Sequence, residues 1–567
     1  MKLRKICDIL SFLCIFCWLD ICALGDQLIA AETQNALNVA VIGENRLELD
    51  PLLHAKPNMS FSTYMLHRPI IMLSEDGLPL CELCKEIPSF ENDQLEFVIQ
   101  NTDKLIVSHW QLREGLKWGD GSPITALDFF AVWELLRSGQ LFQKESLLLK
   151  IVREIQIYPE QPLKMTITFY RDQFDLNALI NFFPVPFSIL QEFLKSDVVA
   201  KSGAYNLSSP FLKNPYNAGL YSGPFVLNQI SSKSLQLKRN PHFYGNKPDF
   251  EQVVLNQFTS SDKLEDFGKY LFVDLSWFDA IGAQGLQNKM SLKNKKMLLS
   301  ARFWPSLYTV IWFNPSRTNI YDSQLVEAIS NSINRQELLK KSGLDAYSPI
   351  YGIDFFRQAR KMNISPDFNK KNIEGRELIR KLLREFEEKS ELNINRKKDT
   401  SHIDWVLGYN EKNLEGKKIA EALQIQLLKY GIKVSLKAIS PEIYYKPDAL
   451  KEIDLLIVNQ LKQPGDSIAE HFGLGDLNIS DLPTNIFVPW RWRDEGAMQL
   501  MALLQNEHRA VKKEEYWQKF LEIFKEKAPF IPLFFKSRFA LYSNELQFKA
   551  AINADLPLSV KIEDWKM

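Results

Sequence analysis

The chain has 567 residues, more than one hydrophobic core holds, so two or three lobes are expected. Lysine plus arginine and aspartate plus glutamate are equal at 69 each; no basic excess points to nucleic acid and no acidic tail appears. Aromatic residues are plentiful, which suits large cores and equally suits ligand grooves.

The first residues read as an export signal. Lys2, Arg4 and Lys5 form a basic start, and Ile9 to Leu19 is an apolar stretch too short to span a bilayer. Ala23-Leu24-Gly25 puts small residues where a signal peptidase reads, so residues 1–25 are expected to be removed. Cys22 has a leucine three positions before it, as a lipoprotein signal would, but Asp20 and Ile21 fit that signal badly. Lipidation at Cys22 or Cys17 is the secondary reading. No later segment has an apolar run long enough to cross a membrane. The mature chain is expected in the periplasm or on the outer face of the cytoplasmic membrane, free or tethered by its N-terminus.

LNVAVI (Leu37–Ile42) alternates and is β-branched, which predicts a strand, and LELDP turns into a loop. Four of the six cysteines lie in the signal; Cys81 and Cys84 remain, in CELC. Pro79 before and Ile87-Pro88 after favour a structural loop, with a small disulfide open to an exported protein. A redox pair would precede a helix, and zinc would need two more ligands. The histidines are scattered, with no H-E-x-x-H.

Leu95 to Ile99 and Leu105 to Leu112 read as a hairpin. LREGLKWGDGSPITALDFFAVW (Leu112–Trp133) then sets a turn at Gly119–Pro123 before a helix, with Thr125 as N-cap and Asp128 three residues on. GDG lacks the length and the Lys-Ser/Thr ending of a phosphate loop. Ile151–Tyr158 and Met165–Tyr170 read as strands, Phe182–Lys195 as a proline-rich stretch with a short helix. Leu220–Leu227, Leu235–Arg239 and Val253–Leu255 continue a meander. From Tyr308 the pattern changes: YTVIWFN is a buried strand, Gln324–Lys341 a helix, and Lys370–Lys398 a charged, solvated helix and loop. Ile403–Tyr409, a helix Glu415–Tyr430 stopped by Gly431 at C′, Ile432–Leu436 and DLLIV (Asp454–Val458) alternate as in an α/β lobe. Glu514–Lys527 reads as a helix, and PFIPLFF (Pro529–Phe535) as extended.

Six blocks, in order, resemble the extracytoplasmic solute-binding proteins of the oligopeptide/dipeptide ABC-transporter family, solute-binding protein family 5. They are LNVAVIGENRLELDP, LREGLKWGDGSPITALDF, YSGPFVLNQ with LQLKRNPHFYGNKPDFEQVVL, WFNPSRTNIYDSQLVEAISNSINRQELL, GYNEKNLEGKKIAEALQIQLLKYGIKVSL and KAPFIPLFF. The resemblance implies an α/β, bilobed, type II periplasmic-binding-protein-like clamshell with an extra inserted domain. It divides the chain into the signal (1–25), lobe I (26–67), an inserted domain of lobe I (68–198), lobe I again (199–304), lobe II (305–533) and a C-terminal part of lobe I (534–567). The turn and helix of Leu112–Trp133 then belong to the inserted domain and carry no catalysis.

The same resemblance implies a binding protein that is not an enzyme, needs no cofactor or metal, and acts as a monomer. It captures short peptides between two lobes for membrane permease subunits, by closure about a hinge and by pairing with the peptide backbone as an added strand. One ligand edge falls by position on Ala55, Lys56 and Pro57. The other falls on Asn459, Gln460, Leu461, Lys462 and Gln463. Here the chain departs from the pattern. Relatives usually have tryptophan at the Gln460 position, and many have aspartate where Gln463 stands, to pair with the peptide's ammonium group. A neutral amide offsets a desolvated ammonium less well than a carboxylate does, and Lys462 would repel it. Three readings stay open: a peptide anchored differently, an acidic ligand such as a cell-wall peptide fragment drawn by Lys56 and Lys462, or a shifted register with Asp466 as the anchor. Trp304, Trp312, Trp405, Trp490 and Trp492 are candidate groove walls, with core packing the simpler role for each. An exported hydrolase is the remaining class; it would need a nucleophile with its base, a metal set or paired acids, and no G-x-S-x-G or zinc motif is present.

Overall fold

The computed structural model describes residues 36–43, 47–53, 60–73, 79–101, 103–141, 147–170, 174, 176–195, 203–261, 269–291, 297–317, 323–350, 379, 381, 403–461, 472, 474, 488–507, 510–527, 529–547 and 556–567. The expected export signal, residues 1–25, and nearly all of the charged stretch 370–398 lie outside these residues. Strand β1 (Ala36–Ile42) runs where the alternation placed it. Its two faces serve different cores: Val39 and Val41 pack with the N-terminal half, Ala40 and Ile42 with the C-terminal half.

β2 (Ile71–Leu73) and β3 (Pro79–Cys81) form a two-stranded sheet. The CELC loop follows directly, and its cysteines are joined, with Cα atoms 5.1 Å apart. The hairpin β4 (Leu95–Gln100) and β5 (Asp103–Gln111) joins β6 (Val152–Ile157) and β7 (Lys164–Tyr170) in a four-stranded sheet, order β4-β5-β7-β6. Between them runs helix α1 (Ala126–Arg137), capped as its sequence predicts. The Asp128 carboxylate accepts the Thr125 N–H at 2.8 Å and, with its other oxygen, the Phe187 N–H of α2 (Phe187–Leu194) at 2.8 Å. Asp128 is therefore both a cap and the tie between two helices. Burial pushes its carboxyl up to about 6, against the pull of these donors. Gly121 at the preceding turn has φ +90°, a conformation open to glycine.

β8 (Phe225–Ile230), β9 (Ser234–Arg239) and β10 (Gln252–Phe258) are the expected meander. β10 lies parallel to β1, whose other edge takes β11 (Phe272–Leu275), followed by α3 (Ala280–Ser291). The strand expected from Tyr308 begins eleven residues earlier, as β12 (Met297–Phe313). Residues 297–307 were missed because they lack a clean alternation and owe their extension to a partner strand far along the chain.

The single helix expected over 324–341 is two, α4 (Ser323–Ser332) and α5 (Arg335–Ser342). Asn334 divides them. Its backbone is extended and its side chain accepts the Glu337 N–H at 2.9 Å, so it caps the second helix. After the short β13 (Ser348–Pro349), β14 (Ile403–Asn410), α6 (Leu414–Leu428), β15 (Ile432–Ile439) and β16 (Leu455–Leu461) follow. Gly431 has φ +84° but stands one position later than the C′ expected, because α6 gives way to a turn at Lys429. Helices α7 (Glu495–Asn506) and α8 (Ala510–Lys527) precede the last strand, β17 (Phe530–Ser543).

The large sheet has 11 strands, ordered β15-β14-β16-β12-β17-β11-β1-β10-β9-β8, with β13 beside β17. β12 and β17 run antiparallel from Met297↔Ser543 to Trp312↔Phe530. One end of this ribbon receives β16 on its β12 edge, and the other receives β11 on its β17 edge. The two half-sheets are joined by this ribbon. Its register breaks between Trp304↔Lys536 and Tyr308↔Phe535, where β12 carries three extra residues.

Candidate functional site

The candidate site is built on that break. A cavity of about 250 Å³ opens there, at the C-terminal end of β11, the start of α6 and the middle of the ribbon. Trp277, Trp304 and Leu307 form one side, and Lys536 and Glu415 the other. Pairing in the ribbon puts Trp304 opposite Lys536, so the extra residues of β12 swing Leu307 toward the cavity.

Trp304 is buried and held from several directions. The Arg538 guanidinium lies 4.1 Å from its ring centroid, a cation–π contact. Arg538 is itself anchored by donating to the Leu556 carbonyl at 2.8 Å. Trp277 meets Trp304 edge-on at 5.8 Å and 67°, and Leu307 and Leu461 pack against it. Trp277 is 47% exposed, whereas every other tryptophan among the described residues is buried.

The polar side is centred on Glu415. Asn413 caps α6 by accepting the Gly416 N–H at 3.0 Å, and Glu415, two residues after the cap in the first turn, is buried. One Glu415 oxygen accepts the Ala280 N–H at 2.9 Å, at the head of α3, and the Tyr347 hydroxyl. The other pairs with Lys536 at 2.7 Å. Lys536 also lies 5.4 Å from the centroid of the Tyr347 ring. Burial first, then the Glu415 carboxylate, push the Tyr347 hydroxyl far above its ordinary pKa, so it stays a donor. This cluster connects α3, α6, β17 and the Tyr347 turn around one carboxylate. Asp279, beside the cavity, is occupied in accepting the Gly282 N–H at 2.6 Å.

Of the predicted ligand residues, the structure describes Asn459, Gln460 and Leu461 and brings them together at the end of β16. They pair with Thr309, Tyr308 and Leu307 of β12. The Thr309 hydroxyl donates to the Asn459 side chain at 2.7 Å. Leu461 packs against Trp304, while Gln460 is buried on the opposite face of the strand. β14 pairs with β16 only at Leu455 and Leu456. Ala55, Lys56, Pro57, Lys462, Gln463 and Asp466 lie outside the described residues. Trp312, Trp405, Trp490 and Trp492 are core residues; of the five candidate walls only Trp304 borders the cavity. Trp277, Glu415 and Lys536 were not singled out from the sequence. The signal for Glu415 was present in its place just inside an Asn-capped helix; for the other two no local signal exists.

The family model for the middle region of the bacterial extracellular solute-binding proteins, family 5, matches residues 100–469. The chain belongs to this family. No curated protein matches it in sequence. Among solved structures, the unliganded open form of MppA, a periplasmic murein tripeptide binding protein, is similar over 94% of this chain and 97% of its own, with 16% identity and a TM-score of 0.65. NikZ from Campylobacter jejuni, in complex with Ni(L-His), is similar over 94% and 100%, with 14% identity and a TM-score of 0.60. The oligopeptide-binding protein AppA from Bacillus subtilis, in complex with a nonapeptide, is similar over 94% and 99%, with 14% identity and a TM-score of 0.55. At these identities the likeness is one of fold, and this family 5 protein has the bilobed type II periplasmic-binding fold. Among its described residues no helix is long and apolar enough to cross a membrane, and no group of three or more His, Cys, Asp or Glu is placed to hold a metal.

Proposed function

We propose that this family 5 protein is the substrate-binding component of an ABC transporter and that its ligand is a short peptide, held where the half-sheets meet. The observation that carries the reading is the cavity at the β12/β17 register break, next to the end of β16. Two long strands with a local irregularity between two separately packed halves suit a hinge, because a bulge absorbs a change of strand direction without breaking either core. On this reading the halves are lobe I (26–67, 199–304 and 534–567), carrying an inserted domain at 68–198, and lobe II (305–533).

Asn459–Gln463 then supply one backbone edge and Ala55–Pro57 the other, with Asp466 as an alternative anchor for the peptide's ammonium group. Main-chain pairing is indifferent to side chain, which suits a carrier of mixed peptides. Closure follows from a ligand's preference for the closed form, and the permease subunits read that form. MppA and AppA, whose names or complexes specify peptides, support this ligand class, and NikZ marks the range the fold accommodates. The protein works as a monomer outside the cytoplasmic membrane after removal of residues 1–25.

Native mass spectrometry of residues 26–567, followed by calorimetry with the molecules recovered, tests the reading. Retained short peptides that rebind are the expected result. One defined acidic compound would favour ligand capture by Lys56 and Lys462. Turnover of peptides or esters with nothing retained would replace the binding role with a hydrolase.

A further inference from the structure

The cavity is smaller than the roughly 300–1,000 Å³ that encloses a whole drug-sized ligand. Its size fits one side chain of something larger. Its chemistry is divided. Trp277 leaves almost half of its surface uncovered in a protein whose other described tryptophans are buried, and covering that surface is favourable. Trp304 behind it does not need to reorganise, because Arg538, Leu307 and Leu461 already fix its ring.

On the polar side Glu415 and Lys536 balance each other, while the exposed Lys412 and the half-buried Asp279 add one charge of each sign at the wall. The Glu415 carboxylate is matched by Lys536, the Ala280 N–H and the Tyr347 hydroxyl, so it is committed before any ammonium group arrives. The Lys536 charge is balanced by Glu415, which weakens its pull on a free carboxylate. An ammonium nevertheless has three donors, and its side chain is 11% exposed at the cavity wall, so it can donate to a neutral oxygen. Asp279 is engaged with the α3 backbone.

We infer that this cavity is a subsite for one aromatic side chain of the bound peptide, stacked or set edge-on against Trp277 and Trp304, with room for a neutral polar tip such as a phenol hydroxyl toward Lys536. The inference rests on the peptide reading above and deepens it by naming the residue class that one position selects. A flat ring offers the uncovered Trp277 indole a large contact at low entropic cost, with Trp304 fixed behind it, and aromatic pairs gain beyond their buried area.

The test is calorimetry with a tetrapeptide scanned position by position with Tyr, Phe, Leu and Ala, on the wild-type chain and on Trp277→Ala and Trp277→Phe. At one position, Tyr and Phe are expected to bind about 10- to 100-fold more tightly than Ala, the range given by ring burial plus aromatic pairing. Trp277→Ala is expected to bring that ratio within about 3-fold, and Trp277→Phe to keep most of it. Thermal melts check that the exposed position leaves the fold intact. Equal binding of all four residues at every position would overturn the subsite and leave the peptide reading standing, as would an unchanged ratio in Trp277→Ala. Binding by no peptide at all would overturn the peptide reading, and this inference with it.

Discussion

Two buried charge clusters hold this protein together, and they are built for different conditions. In the N-terminal half, Arg68 pairs with Glu563 at 2.7 Å and with Glu82 at 3.6 Å, while Lys561 approaches Glu82 at 3.3 Å and the Tyr244 hydroxyl donates to it. At the ribbon, Glu415 joins Lys536, Tyr347 and Ala280. Both clusters tie together segments far apart in sequence. The centre of the first is sealed: Arg68, Glu82 and Glu563 are buried, of its charged groups only Lys561 reaches solvent, and burial raises the Glu82 carboxyl but Arg68 and Lys561 outweigh it and hold it below the usual carboxylate range. The second forms the wall of a cavity. A sealed cluster has no water to fall back on, so losing a partner is costly; a cluster beside a cavity lets solvent replace what is lost, and it can face a ligand.

The contrast is tested most severely by Arg68→Ala. It leaves Glu82 and Glu563 with only the partly exposed Lys561 between them and is expected to cost about 3–5 kcal/mol in urea unfolding. A loss under about 1 kcal/mol would mean that the sealed cluster is not a staple.

His67 probes the same sealed region by pH. Its ring is fully buried near Phe211 and Tyr221, and its Nε2 lies 2.7 Å from the Leu49 carbonyl. Burial lowers its pKa from 6.5 to about 4, against the pull of that carbonyl. Between those values the unfolded chain binds the proton and the folded chain does not, so stability falls as pH falls through the window. Asp50 and Glu48, pushed up by burial to about 6 and about 7, act in the opposite sense, since their folded forms hold the extra proton. Comparison with His67→Gln removes their common contribution. The wild type is expected to lose about 3 kcal/mol relative to the variant between pH 7 and pH 4. A constant difference across that range would show that His67 takes up its proton at the same pH in the folded and unfolded chains.

The smallest effect is expected at the ribbon. Glu415→Ala removes partners of Lys536, Tyr347 and the Ala280 N–H, yet the adjoining cavity admits water, so a loss of about 2 kcal/mol is expected. The sharper readout is binding: the same variant frees the Lys536 charge and is expected to improve the affinity of peptides with an acidic side chain relative to neutral ones. A loss as large as that of Arg68→Ala, with no change in ligand preference, would erase the distinction between the clusters.

Much of the fold was legible because its signals are local. The Thr125/Asp128 capping pair and the alternation of Leu37–Ile42 depend on residues a few positions apart. So do the apolar run of β16 and the helix spacing of α6. The six blocks added their order, from which the family followed. The break at Asn334 was written in a capping residue but hidden by apolar spacing that runs on through it.

The site was less legible. Leu461 packs against Trp304, but Trp277, Glu415 and Lys536, which line the cavity, come from three separate stretches, and nothing in any of them announces the others. The N-terminal half of β12 became a strand only by pairing with β17, more than two hundred residues later. By itself, then, the sequence determined the segments whose periodicity and caps are local, the apolar face of each, and the family. Tertiary structure decided where the ribbon breaks register, which tryptophan stays uncovered and which lysine meets Glu415. Periodicity and caps act over a few residues, whereas cavities and buried ion pairs arise where distant segments converge.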